Sequence, residues 1–403
     1  MSYDEALDWL FSTQTFGIKL GLDGPRRLLA EALAFPPAST RVIHVAGTNG
    51  KGSVCAMIDS IARACGRRSG LFTSPHLCDF RERIRVNGEM IPRDECAARL
   101  AVLRRICAGL DPHPTFFEIT LALAMQWFRA TECEFLVLET GMGGRLDATT
   151  AVPADVCVIT PVGMDHMQWL GGTLEEIAAE KAGIIVPGKP LVCSPQDPAA
   201  AFVIEKEANR RRAPLEFVSE PLHGYHCALT GVHQSWNAAV AVAALHKAGI
   251  ALRVESVRQG LAEVSWPGRF ERLRPGLVLD GAHNAHSAAT LARTWREEFP
   301  GRKAALVFGA AADKALPDIL RELCPIAGSF HFCPINNPRS ASPAALPSLL
   351  PGDAPPASVW GTFGEACAAA AASGDPVLVT GSLFLVGEAR AFLTDCDFRS
   401  SAQ

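Results

Sequence analysis

Short apolar runs that break into glycine or turn residues recur along this chain, and they constrain its fold more than any other feature. The runs RVIHVAG (41–47), SGLFTSP (69–75), EFLVLETG (134–141), DVCVITPVG (155–163) and PLVCS (190–194) are continuous rather than alternating in their apolar content. Segments of helical length and pattern separate most of them, such as SVCAMIDSIARAC (53–65) and ITLALAMQWFRATE (119–132). Strands apolar on both faces, alternating with amphipathic helices, predict a parallel sheet covered by helices on each side. The fold class is therefore α/β.

A chain of 403 residues exceeds one ordinary core, since domains hold on the order of 100–200 residues. A second series of buried-strand patterns is consistent with two domains: LVLDGAHN (277–284), AALVFGA (304–310), FHFCPI (330–335) and PVLVTGS (376–382). The connector is SWPGRFERLRPG (265–276), rich in proline, glycine and arginine. The expected division is a larger domain at 1–272 and a smaller α/β domain at 273–403. The segment 343–358, PAALPSLLPGDAPPAS, reads as loop, and no internal repeat is found.

Bulk properties narrow the function. A net charge of -4 lacks the basic excess of a nucleic-acid binder, and ANRRRAP (208–214) reads as a solvated helix end. Thirteen cysteines without a CxxC pair predict reduced thiols rather than a zinc site or disulfide framework. The start MSYDEALDWLFST carries early acids and no basic-then-apolar pattern, so no signal peptide is expected. No apolar run reaches the ~20 residues of a membrane span. These features predict a cytoplasmic protein with neither nucleic acid nor membrane as partner.

In open α/β sheets ligands bind beyond the carboxyl ends of strands, and four strand ends here carry unusual residues. GTNGKGS (47–53) places glycines, Lys51 and a helix start where backbone N–H groups can surround phosphate oxygens. It breaks the pattern GxxxxGK[ST], because Gly52 stands where the magnesium-binding hydroxyl is expected; a glycine-rich turn without ligand is the alternative. FTSPHL (72–77) offers Thr73 and Ser74, either as a replacement hydroxyl or as a serine-proline turn. ETGMGGRLDATT (139–150) ends a strand in Glu139, an oxygen ligand suited to Mg²⁺, followed by Arg145 and Asp147, which alternatively pair with each other. ITPVGMDHMQWLGGTLEEIAAEKAGI (159–184) contributes Asp165 and His166 after a strand, then a helix carrying Glu180 and Lys181. Thr173 and Glu176 form a capping box at its start.

Ten blocks in order resemble the folylpolyglutamate synthase / dihydrofolate synthase family of the Mur ligase superfamily. They are FGIKLGLDGPRRLL (16–29), HVAGTNGKGSV (44–54), TSPHL with ERIRVNG (82–88), FFEIT (116–120), ETGMGGRLDAT, DHMQWLGGTLEEIAAEKAGI, HQSWNAA (233–239), PGRFE (267–271), LDGAHNAHSA (279–288) and TGSLFLVGE (380–388). The resemblance implies a P-loop ATPase-like N-terminal domain carrying the magnesium and pteroate sites, and a Rossmann-like C-terminal glutamate-ligase domain. It implies that Gly47, Thr48, Asn49, Gly50, Lys51, Gly52 and Ser53 hold ATP phosphates, with Asn237, Arg269 and Asp280 as further nucleotide contacts. Ser74, Glu139 and His166 would bind one or two Mg²⁺ ions, with Lys181 as the family's carbamylated lysine. Lys51, Glu139, His166 and Lys181 form the implied catalytic set. Lys19, Leu20, Gly21, Phe117, Glu118, Arg145 and Asp147 fall in the pteroate site, and His283 and Asn284 on the glutamate side.

The implied reaction is ATP-dependent joining of L-glutamate to dihydropteroate or tetrahydrofolate through an acyl phosphate, by a monomer. The chain departs from the family at Thr140 for valine, Thr150 for asparagine, Ala285 for the proline of AHNP, and Ala315 for an acid. Two alternatives are a Mur-type ligase acting on a peptidoglycan precursor and a nucleotide-gated binding protein. GLDGPRRLL, TSPHL and GRLDAT resemble folate ligases rather than the first, and the second needs no Glu139, His166 and Lys181 set.

Overall fold

A computed structural model of the chain describes residues 1–17, 19, 21–394 and 397–399. It divides into two units, each with its own sheet. The first comprises residues 1–74, 81–228 and 235–264. Its eight strands are β1 (Arg41–Ala46), β2 (Ser69–Phe72), β3 (Ile84–Val86), β4 (Glu89–Met90), β5 (Phe135–Glu139), β6 (Val156–Ile159), β7 (Leu191–Cys193) and β8 (Leu215–Phe217), in the order β4-β3-β2-β5-β1-β6-β7-β8. All pair in parallel except the β2–β3 and β3–β4 ladders at one edge.

The central strands are buried on both faces, as their continuous apolar sequences require. On one face lies the helix Lys51–Ala64, whose residues 52–62 are all buried. The sheet covers one side of it and the helix Val254–Glu263 another, close enough for the Ser60 hydroxyl to donate to the Gly260 carbonyl at 2.7 Å. The helix Phe116–Ala130 packs against the helices Asp23–Glu31 and Arg93–Cys107. It begins in a capping box formed by Thr115 and Glu118. The helix Leu174–Ala182 opens with the capping box predicted at Thr173 and Glu176.

The second unit comprises residues 75–80, 229–234 and 265–403. Its strands are β9 (Glu271–Arg274), β10 (Leu277–Leu279), β11 (Ala304–Phe308), β12 (Ala327–Phe332), β13 (Ala357–Val359) and β14 (Val377–Thr380), in the order β13-β12-β11-β14-β10-β9. Only β9 is antiparallel. Alternate residues feed two cores: Val278, Leu306 and Leu378 pack with Leu291 and Trp295, whereas Leu279, Val307 and Val379 pack with Phe363 and Leu385. Helices therefore cover both faces of this sheet too.

Two expectations change. The boundary between 272 and 273 falls inside β9, and the long stretch of the second unit starts at Ser265, with residues 75–80 and 229–234 joining it. An edge strand reading ERLR, half exposed, has the composition of a connector and is recognisable only by its pairing with β10. Residues 343–358, read as loop, contain the 3₁₀ helix Pro343–Leu349 and the start of the exposed edge strand β13. Among the described residues twelve cysteines are free thiols, and no helix is long and apolar enough to cross a membrane.

Candidate functional site

Parallel strands deliver their carboxyl ends to one edge, so the segments after β1, β2, β5 and β6 share the first unit's sheet edge. After β1 the chain turns through Gly47, at φ 149°, and Gly50, at φ 87°, before the helix that starts at Lys51. Only glycine fits at 47: a Cβ there would lie 1.8 Å from Thr160 Oγ1. The loop is tethered to the segment after β6, with Thr48 N–H and Asn49 N–H donating to the Pro161 carbonyl at 3.0 and 3.2 Å. Asn237 stands over the turn, its Oδ1 3.0 Å from where a Gly50 Cβ would be. Gly52 and Ser53 are buried in the first helical turn.

Two lysines converge on this loop. The Lys51 ammonium donates to the carbonyls of Gly47 at 3.1 Å and Thr48 at 3.2 Å. Lys181 Nζ, from the helix Leu174–Ala182, donates to the same Gly47 carbonyl at 2.9 Å. Burial, reinforced by the Lys51 charge, pulls the Lys181 amine down to about 7, against the opposing pull of Asp165, Asp147 and Glu180. Glu180 pairs with Arg145, at 2.6 Å, rather than with the neighbouring Lys181.

Glu139 ends β5 at 4% exposure, and its Oε2 accepts the Ser74 N–H at 3.0 Å across from β2. The carboxylate and Lys51 both act on the buried Cys55 thiol, which burial raises first, Glu139 raises further and Lys51 lowers. Glu139 thus lies in the electrostatic field of the glycine-rich loop that carries Lys51. His166 holds a left-handed backbone at φ 52° and caps the short helix Met167–Leu170, with its N–H donating to Asp165 Oδ1 at 2.9 Å. Such conformations persist where the surroundings enforce them, and they cluster at functional sites.

Among the described residues no three His, Cys, Asp or Glu side chains form a metal cluster. The Ser74 and Glu139 pair nonetheless fits a hard divalent cation, which takes oxygen ligands, keeps water, and needs only one or two protein groups when phosphate oxygens supply others.

The other expected acceptor residues divide by role. Asp147 is buried and anchors the glycine loop: its Oδ2 accepts the Met142 N–H at 2.9 Å, and its Oδ1 accepts the Thr149 N–H and hydroxyl at 3.0 and 2.5 Å. Burial raises its carboxyl. It does not pair with Arg145, which lies half exposed on Glu180. The loop packs directly on the lysine helix, since a Cβ on Gly144 would sit 3.0 Å from the Lys181 Cα. Phe117 abuts Gly141 and Phe72. Glu118 spends its Oε2 on the Thr115 N–H at 2.6 Å as a helix cap. Lys19 donates to the His113 carbonyl at 2.9 Å beside the Phe16 ring, and Gly21 is at φ 149°. Leu20 lies outside the described residues.

In the second unit Asp280 follows β10, its Oδ2 accepting the Phe270 N–H at 2.8 Å and its Oδ1 the Ala282 N–H at 2.9 Å. Burial raises this carboxyl, and Arg269 opposes the rise. His283 Nδ1 lies 2.8 Å from the Gly281 carbonyl. Asn284 caps the helix Ala285–Glu298 by accepting the Ser287 N–H at 2.9 Å.

Residues missed in the sequence include Thr160, which fixes Gly47, and Thr149, which fixes Asp147. The second was detectable, because an aspartate two residues before a threonine is an Asx-turn pattern. The fully buried Arg83, its guanidinium 5.3 Å from the Phe116 ring centroid, was likewise passed over within ERIRVNG.

The chain is similar to known proteins along most of its length. Residues 45–220 match the Mur ligase middle domain, and residues 268–383 match the Mur ligase glutamate ligase domain. The chain is 38% identical over 374 residues to the dihydrofolate synthase/folylpolyglutamate synthase of Bacillus subtilis, covering 84% of this chain and 87% of that protein. It superimposes on the Escherichia coli FolC protein solved in complex with DHPP and ADP with a TM-score of 0.86 at 30% identity, covering 97% and 98% of the two chains. A bifunctional folylpolyglutamate synthase/dihydrofolate synthase with Mn, AMPPNP and L-glutamate bound is similar at a TM-score of 0.85 and 31% identity, over 96% and 98%.

Proposed function

The chain belongs to the dihydrofolate synthase/folylpolyglutamate synthase family of Mur ligases, ATP-dependent enzymes that join glutamate to a folate-type acceptor, and we propose that the edge of its first sheet activates the acceptor carboxylate. One observation carries this reading: Lys51 and Lys181 meet at the Gly47 carbonyl. Ser74 and Glu139 stand at the neighbouring strand ends. Cations for a polyphosphate and an oxygen pair for a divalent ion are thereby gathered on one edge.

A carboxylate oxygen of the acceptor attacks the γ-phosphorus of ATP, the bond to the β-phosphate oxygen breaks, and ADP leaves. Lys51 balances charge on the transferring group, and the turn at Gly47 and Gly50 brings backbone close to the phosphates. Ser74 and Glu139 would hold the divalent ion, with His166 as a further ligand; when bound it supplies Lewis-acid neutralisation of phosphate charge. The acyl phosphate then takes the glutamate amine at its carbonyl carbon. Collapse of that tetrahedral adduct expels phosphate, sheds a proton and leaves an amide. Arg145, Phe117 and the Asp147 loop position the acceptor. Asn237, beside Gly50 in the first unit, serves the nucleotide; in the second unit the family resemblance assigns Arg269 and Asp280 to nucleotide and His283 with Asn284 to glutamate.

Lys181 is read as the site of carbamylation. An amine at about 7 has a large neutral fraction at physiological pH, and the neutral form adds CO₂ with loss of a proton. Labelled bicarbonate should give a carbamate carbon signal in the wild type that Lys181→Met lacks.

The acceptor is read as dihydropteroate, tetrahydrofolate or both. Mass spectrometry of products from each, with ATP and glutamate, tests this, with a UDP-sugar peptidoglycan precursor as control. Phosphate release with the sugar substrate alone would end the reading.

A further inference from the structure

His44 sits in the middle of β1 at 1% exposure, between Ile43 and Val45, where an aliphatic residue would fill the space. Its Nε2 lies 2.7 Å from Thr149 Oγ1. That hydroxyl has one proton and gives it to Asp147 Oδ1 at 2.5 Å. Both Asp147 oxygens already accept backbone N–H groups, from Thr149 and Met142, hydrogen bonds that oppose the rise burial causes in this carboxyl and keep it an acceptor. The imidazole must therefore be the donor to Thr149, through Nε2–H. A three-member chain of hydrogen bonds runs from a core strand to the glycine loop.

We propose that His44 is a positioning residue for acceptor binding: by donating to Thr149 it fixes the Thr149 hydroxyl, and through it the Asp147 carboxylate that shapes residues 141–147. The inference rests on the reading of Asp147 as part of the acceptor site. The same strand ends two residues later at Ala46, just before Gly47, so β1 braces the acceptor loop from its middle and carries the phosphate loop at its end. Burial holds the ring neutral, with its ionisation lowered to about 3, so the donor tautomer persists across the working pH range.

The test compares His44→Leu, which removes the donor, His44→Gln, which keeps an N–H at similar reach, and Thr149→Val, which removes the link but keeps the shape. Steady-state kcat and KM are measured for dihydropteroate, ATP and glutamate, with thermal unfolding of each variant. Loss of one charge-linked hydrogen bond predicts an increase of about tenfold in the dihydropteroate KM for His44→Leu and Thr149→Val, with the ATP KM within about twofold. His44→Gln should recover most of the loss. Equal changes in the ATP and acceptor KM values, an unchanged acceptor KM in Thr149→Val, or no recovery by glutamine would overturn the proposal and leave His44 as core filling. Asp147→Asn separates the two layers: if it leaves the acceptor KM unchanged, the acceptor-site reading fails; if it raises KM while Thr149→Val does not, only the His44 inference fails.

Discussion

Gly47→Ala should disable the phosphate loop for a reason that can be worked from contacts. The new Cβ would lie 1.8 Å from Thr160 Oγ1, 2.9 Å from its Cβ and 3.1 Å from its backbone carbon. Restoring ordinary contact requires the loop or the end of β6 to move by more than ~1 Å in a closely packed region. Overpacking of this kind costs about 1–3 kcal/mol, and holding alanine at φ 149° adds about 1–2 kcal/mol. A displacement of about 1 Å at a phosphate-positioning loop lowers kcat/KM on the order of 10²-fold. The assay is ADP release with saturating acceptor and glutamate, alongside thermal unfolding. Thr160→Ala removes the worst contact but leaves the 2.9 Å one and the strained φ, so the double variant should regain about tenfold, not all. Wild-type kcat/KM in Gly47→Ala, or no difference between single and double variants, would refute the steric argument.

Glu139→Gln keeps an acceptor for the Ser74 N–H but removes the charge, so amide formation should fall on the order of 10²-fold or more with thermal stability little changed; full activity at low divalent-ion concentration would count against the metal assignment. His44 stays neutral in the fold down to about 3 while the unfolded chain protonates near 6.5, so its contribution is present above pH 6.5 and lost as pH falls towards 3. Between pH 8 and pH 4 wild type should lose about 3 kcal/mol more than His44→Gln in urea denaturation, with hydrogen exchange of residues 41–64 identifying the first unit's transition; parallel pH profiles would show that the ring does titrate when buried. Arg145→Ala should change stability by less than ~1 kcal/mol, because its partner pair is half exposed, and a larger drop in melting temperature would mean the pair is worth more than its geometry suggests. Thr173→Ala removes the side-chain acceptor of a capping box and should cost about 1 kcal/mol, checked by the same denaturation.

Strands buried on both faces were legible because their sequences are apolar throughout, and β1, β5, β6, β11 and β14 lie inside the runs that announced them. The strands that escaped are β3, β4, β8, β9 and β13, of two to four residues, in which Ile84 of β3 is the one buried position. Partner strands rather than residue types create such elements, so no local pattern marks them. The site divides along the same line. Gly47, Glu139 and Ser74 could be placed because each follows or ends an apolar strand, and topology alone carries strand ends to one edge. Pairings could not: Arg145 chooses Glu180 over Asp147, and Asp147 turns inward to hold the loop. Glu118 and Asn284 were read as substrate residues through resemblance, yet each also caps its own helix. The spacing Thr115-x-x-Glu118 is the same signal that identified Thr173 and Glu176.

The irregular spacing in GTNGKGS has a structural counterpart in the two lysines. With Gly52 where a metal-binding hydroxyl is usual, the first helical turn offers no side-chain oxygen at that place, and Ser74 and Glu139 carry oxygens at the neighbouring strand ends. Meanwhile one carbonyl, that of Gly47, receives both Lys51 and Lys181. Two ammonium groups on one oxygen repel each other, and in a buried setting that repulsion is weakly screened. Burial first, and this repulsion second, depress the ionisation of Lys181. Relief can come from an anion entering between them or from converting one cation to a carboxylate, and both act at the same atoms. A polyphosphate would use the first route and CO₂ addition the second. The loop is thus arranged so that its own electrostatic strain is lowest when it is loaded.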